Sequence, residues 1–360
     1  MPQLTGIRAV AFLMVFLFHA ELLGRGFLLW SGVDLFFVLS GFLITGILLS
    51  QKKDQGYFKV FYIRRFLRIL PPFYFILILI VLVFQQVRGD QVLATALFLA
   101  NLYLPLASDP GSLPSYAALS PYWSLALEEQ FYLIWPLLIF YISPRRMLWA
   151  CVTLCVLAPL ARTITLLAFA NGDSFKAVHM LPINRVDLLA AGSLIALLRH
   201  LRFFDERVLS RIGAGLAGSS FTIIIALTVL RADFRASAGS IIFSSMGYSL
   251  VCAMMCGIIL YLANTTTGLT VKLLSTRPMI YLGTISYTMY LVHEGVIQLL
   301  LGYGIPKGGI SLTIAAFAIT FAVAAFSWHL IEKPIKKFKD RNVGANAGIT
   351  MVAPESLAKG

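Results

Sequence analysis

Ten apolar stretches constrain this chain more than any other feature. They lie near residues 6–24, 32–50, 69–86, 124–142, 147–170, 185–199, 212–230, 240–262, 279–301 and 310–331. Most run 17–24 residues, the length at which a helix rising 1.5 Å per residue crosses the roughly 30 Å hydrocarbon core of a bilayer. Lipid offers backbone N–H and C=O groups no partners, so such stretches are read as helices that satisfy themselves. The fold class expected is all-α: a polytopic integral membrane protein of about ten transmembrane helices. A soluble domain is excluded, because charged residues make up 12% of the chain against about 25% in soluble proteins. The stretch at 185–199 is short. A further one, 92–106, is shorter still and ends at Pro105, which reads as re-entrant or interfacial.

Ten spans put both termini on one side. With the N-terminus inside, twenty loop Lys and Arg fall in inner segments and six in outer ones. This alternation predicts cytoplasmic termini. The net charge of +13 then reflects basic loops beside anionic lipid, and no nucleic-acid partner is expected. The first stretch lacks a basic leader and is interrupted by Arg8 and His19, so no cleavable signal peptide is expected. Residues 1–336 read as one transmembrane domain and 337–360 as a short, polar, disordered cytoplasmic tail. Cys151/Cys155 and Cys252/Cys256 fall one turn apart inside apolar segments without acidic or His companions. They read as small apolar residues, and no metal site is expected.

Charged clusters interrupt the apolar stretches. In the first, Arg8 and His19 are eleven residues apart, close to three turns, so both project from one helix face about 16 Å apart. An Arg inside a span costs about 2.5–3.5 kcal/mol on insertion scales, and normally faces the protein interior. In YIRRFLRILPP, Arg64, Arg65 and Arg68 read either as a positive-inside anchor or as an anion site of forked donors. The prolines after them are expected to fix the chain at the membrane surface. Asp34 reads as an outer-interface residue or as a partner of His19. Glu128 and Glu129, two turns into their span, point about 100° apart and are not expected to serve one site equally. Arg185 and Asp187 are too close in sequence to face each other, so each is expected to pair elsewhere. Tyr290 and His293 are i,i+3 neighbours. The exit Glu332-Lys333-Pro334 reads as an interfacial stop.

Seven of these segments, in order, resemble the acyltransferase 3 family of membrane-bound O-acyltransferases: LTGIRAVAFLMVFLFHA, SGVDLFFVLSGFLIT, RRFLRILPP, YWSLALEEQFYLIWP, RVDLLAAG, SYTMYLVH and IEKP. They span residue 4 to about 336. The resemblance implies a ten-helix core that moves an acyl group, commonly acetyl, from acyl-CoA to a hydroxyl. It implies that Arg8 and His19 match the family's essential arginine–histidine pair, that Arg64, Arg65 and Arg68 match its donor-site motif, and that Glu128 and Glu129 match its acidic motif. Many members carry an acidic residue where Thr5 stands. Some carry an extra esterase-like domain, for which this chain is expected to have no room.

Residues and resemblance predict one mechanism. Acyl-CoA, a co-substrate rather than a bound cofactor, docks its phosphates on the arginines at the cytoplasmic face. His19 takes a proton from the acceptor hydroxyl or forms an acyl-histidine. Asp34 or Glu128 orients the imidazole. The acceptor is expected to be a glycan, a lipid-linked oligosaccharide or a small hydroxylated molecule, and the location the bacterial inner membrane. Asp34, Glu129, Arg185, Asp187, Tyr290 and His293 support the site. A transporter or flippase would use intramembrane charges equally well. It is disfavoured by the lack of an internal repeat and by the basic cluster.

Overall fold

The computed structural model describes residues 1–23, 28–84, 86–107, 114–169, 174–229 and 243–338. The expected tail beyond 338 lies outside the described residues. Fifteen α-helices follow in chain order: α1 Pro2–Ala20, α2 Gly32–Gln51, α3 Tyr57–Val83, α4 Gly89–Ala96, α5 Ala100–Leu106, α6 Pro114–Leu119, α7 Tyr122–Tyr141, α8 Pro144–Ala168, α9 Ser174–Met180, α10 Pro182–Leu201, α11 Glu206–Val229, α12 Tyr248–Ala263, α13 Leu269–Leu274, α14 Arg277–Gly302 and α15 Ile310–Ser327.

Among the described residues, eight helices are long and apolar enough to cross a membrane. α7 and α14, with 20 and 26 residues, match them in length and carry the Glu128/Glu129 and His293/Glu294 motifs. The chain is therefore a multi-pass membrane protein, with ten long helices corresponding to the ten predicted stretches. The outer helices turn apolar side chains outward. On α8, Trp149, Val156, Leu160, Ile164 and Leu167 are all exposed, a stripe suited to lipid and to no aqueous surface.

The inner helices pack closely because small residues face one another. A Cβ at Gly192 of α10 would fall 1.9 Å from the Val38 carbonyl oxygen, and one at Gly41 of α2 would fall 2.0 Å from that of Leu189. The two backbones touch there, as membrane helices do where side chains vanish. The same pair is stitched by Thr45 donating to Ser193 at 2.8 Å.

Pro71 and Pro72 do not stop the helix: α3 runs unbroken through both, so Arg64, Arg65 and Arg68 belong to one 27-residue helix. Each proline only withdraws one N–H from the ladder, freeing the carbonyls of Leu67 and Arg68, and neighbouring helices hold the rest. Residues 92–106, read as too short to span, form no helix long enough to do so. They form two short helices, α4 and α5, against α7, where Asn101 and Gln130 exchange amide hydrogen bonds of 2.9 Å.

Candidate active site

The charged clusters gather into three groups. The first surrounds a cavity of about 930 Å3, including its open mouth, lined by α2 residues from Val33 to Ile47 together with Arg8, Arg65, Arg68, Glu128, Glu129, Tyr132, Ser286 and Tyr290. From Val33 to Ile47 the helix rises by fourteen steps, so this lining is about 21 Å long. Arg8 Nε donates to Ser286 Oγ at 3.4 Å. The Arg65 guanidinium lies 3.7 Å above the Tyr132 ring, a cation–π contact that leaves its edge free for a ligand. Its Nε is buried without a hydrogen-bond partner among the described residues. The hydroxyl of the same Tyr132 shares a hydrogen bond with Ser40.

Arg64 is absent from the cavity lining, whereas Arg65 and Arg68, three residues apart, are both on it. Of the three arginines, two thus face the cavity, joined by Arg8 from another helix. Glu128 and Glu129 both line the cavity, where Glu128 accepts hydrogen bonds from Ser40 and Tyr132. Glu332, read as an interfacial stop, accepts from Thr288 at 2.7 Å and Ser327 at 3.3 Å. The π turn Trp328–Glu332 at the end of α15 brings it there.

The second group joins α1 to α14. His293 Nε2 lies 3.0 Å from His19 Nδ1, and His293 Nδ1 lies 2.7 Å from the Tyr290 carbonyl oxygen. Glu294 Oε2 is 4.0 Å from His19 Nδ1, while Gln298 Nε2 donates to Glu294 Oε1 at 2.7 Å. Potential ligand atoms of His19, His293 and Glu294 lie within 4.8 Å of one another. The two ring nitrogens are joined to each other by a hydrogen bond, which a cation would have to displace. Tyr290 bridges the groups. Its hydroxyl meets Ser124 at 2.7 Å on the cavity side, and its ring lies 5.4 Å from that of His293.

Neither carboxylate expected to orient His19 does so. Asp34 is fully buried in an ion pair with Arg185, and Glu128 faces the arginine cavity. The carboxylate near the imidazole is Glu294, which stands next to His293 in the motif already singled out; only the fold could show that α14 lies beside α1.

The third group is structural. Arg162 pairs with Asp187 and donates to the Asn184 carbonyl at 3.0 Å and Ser249 at 2.9 Å. Arg185 and Asp187 do pair elsewhere, as expected. With Asp34 they clamp α2, α8, α10 and α12.

The family described as acyltransferase domain, acyltransferase 3, matches residues 1–329. The chain belongs to the acyltransferase 3 family. Its similar relatives include the peptidoglycan O-acetyltransferase OatA of Listeria monocytogenes, 31% identical over 95% of this chain and 58% of that protein. The putative peptidoglycan O-acetyltransferase YrhL of Bacillus subtilis is 31% identical over 93% of this chain and 55% of that protein. The O-acetyltransferase OatA of Staphylococcus aureus is 27% identical over 94% and 57% respectively. The chain thus spans little more than half the length of these relatives. No solved structure matches it.

Proposed function

We propose that this chain is a membrane O-acyltransferase that moves an acyl group, acetyl by analogy with its relatives, from acyl-CoA to a hydroxyl of a glycan acceptor. One observation carries the reading: a single cavity runs from Arg65 and Arg68 to Val33 and Tyr290, and Tyr290, whose ring lies 5.4 Å from that of His293, links that cavity to the pair of His293 with His19. Arg65, Arg68 and Arg8 would hold the donor phosphates by charge-assisted contacts, and the thioester arm would extend along α2. His19 takes the proton of the acceptor hydroxyl as that oxygen bonds to the acyl carbon. The carbon–sulfur bond then breaks, and the proton passes to the leaving thiolate. The names of the relatives supply the acceptor class, a cell-wall glycan. The excess of basic loop residues supports cytoplasmic termini in a bacterial inner membrane, with donor entering from inside.

The test is transfer of radiolabelled acetyl from acetyl-CoA to a muropeptide or oligosaccharide by protein in nanodiscs. Wild-type protein should transfer, and a well-folded His19→Ala variant should not. Solute movement across proteoliposomes without any acyl transfer would favour a transporter instead.

A further inference from the structure

His293 is fully buried, and both its ring nitrogens are committed. Nδ1 lies 2.7 Å from the Tyr290 carbonyl oxygen. A carbonyl accepts and never donates, so Nδ1 carries the hydrogen. In a neutral imidazole the other nitrogen is then a lone pair. That lone pair faces His19 Nδ1 at 3.0 Å. Two lone pairs at this distance would repel, so His19 Nδ1 must supply the hydrogen. The consequence appears on the far side of the His19 ring, where Nε2 keeps its lone pair on a side chain that is 28% exposed.

We infer that His293 is a positioning residue. It fixes His19 in the Nδ1–H tautomer, so that Nε2 is the atom that receives the hydroxyl proton. The inference rests on the reading of His19 as the base. The surroundings suit the cycle. Phe12 and Tyr290 hold the His293 ring from two sides, with centroids 5.9 Å and 5.4 Å away. When His19 Nε2 gains its proton, the ring becomes an imidazolium that still donates through Nδ1 to His293. Glu294 Oε2, 4.0 Å away, is buried without a hydrogen-bond partner among the described residues and stands ready as the counter-charge. Lys307, the nearby cation, is engaged by Glu21 at 3.1 Å. Transfer of the Nε2 proton to the leaving thiolate restores the starting tautomer. The Val15 carbonyl, one turn back on α1, also accepts from the His19 ring; without the His293 side chain at Nδ1 the ring loses its nearest side-chain acceptor and the tautomer with hydrogen on Nε2, which cannot act as base there, becomes open.

The experiment has two independent readouts. Histidine-selective 15N NMR of the full chain in nanodiscs should show His19 with a protonated Nδ1 and an unprotonated Nε2. His293→Leu should abolish that pattern. This readout needs no acyl transfer, so it separates the relay from the acyltransferase reading. In transfer assays His293→Leu should lower kcat about 100-fold or more, with donor KM unchanged. His293→Gln, which keeps an acceptor oxygen near the Nε2 position, should recover at least tenfold of the loss. Melting points in detergent identify variants that merely unfold. A wild-type His19 protonated on Nε2, equal loss in the Leu and Gln variants, or activity abolished by EDTA and restored by zinc would each overturn the relay.

Discussion

Arg65 shows how much one side chain carries here. Its guanidinium is stacked on Tyr132 at 3.7 Å while facing the cavity, and a lysine cannot do both. Arg65→Lys should therefore raise donor KM about tenfold or more, in keeping with about 1.5–3 kcal/mol for a hydrogen bond to a charged group. Acceptor KM should hold, and steady-state kinetics with each substrate varied in turn measures the difference. Arg64→Gln, off the cavity, should leave donor KM near the wild-type value. The Asp34–Arg185 pair makes the opposite kind of prediction. Both side chains are fully buried, so Asp34→Asn strands a cation and should destabilise by about 3–5 kcal/mol. Thermal unfolding in detergent should show this as a lowered midpoint. The double variant Asp34→Asn, Arg185→Gln should recover part of it.

At the scale of the element, the site depends on helices brought nearer than side chains normally allow. α2 lines the cavity with one face and meets α10 through Gly41 and Gly192 with another. Gly192→Leu should push α10 off α2, because its Cβ alone would stand 1.9 Å from the Val38 carbonyl. Folded yield and transfer should fall together, as judged by size-exclusion profile and activity per mole. Gly218→Ala on α11, with nothing within 4 Å, should be neutral in both. α14 is the element the two chemical groups share: Ser286 and Tyr290 look into the cavity, His293 and Glu294 toward His19.

Across the whole molecule, the proposed route has the donor and the acceptor arriving from opposite faces, with Arg8 and His19 eleven residues apart on α1. The α14–α15 loop belongs to the His19 end, where the Gly308 N–H donates to the Ala20 carbonyl at 3.2 Å. The α2–α3 loop lies at the other end. In a background lacking the four cysteines, Tyr303→Cys should react with an impermeant thiol reagent from outside the cell. Lys53→Cys should react only after the membrane is opened. Labelling of both from one side would break the proposed route.

The sequence by itself determined the class of fold, the approximate positions of ten long helices and the residue types of the chemistry, because lipid forces helices and makes every buried charge conspicuous. It also determined that Arg185 and Asp187 pair with others, since a spacing of two residues turns them to different faces. The partners were decided only by tertiary structure. Asp34 and His19 look equally available to each other in sequence, yet the α2–α10 contact gives Asp34 to Arg185. The α1–α14 contact gives His19 to His293, 274 residues away. Helical periodicity states which face a side chain occupies but not which helix that face meets. That choice belongs to packing between segments, made here by glycines that let backbones touch and by buried charges that can find only one another.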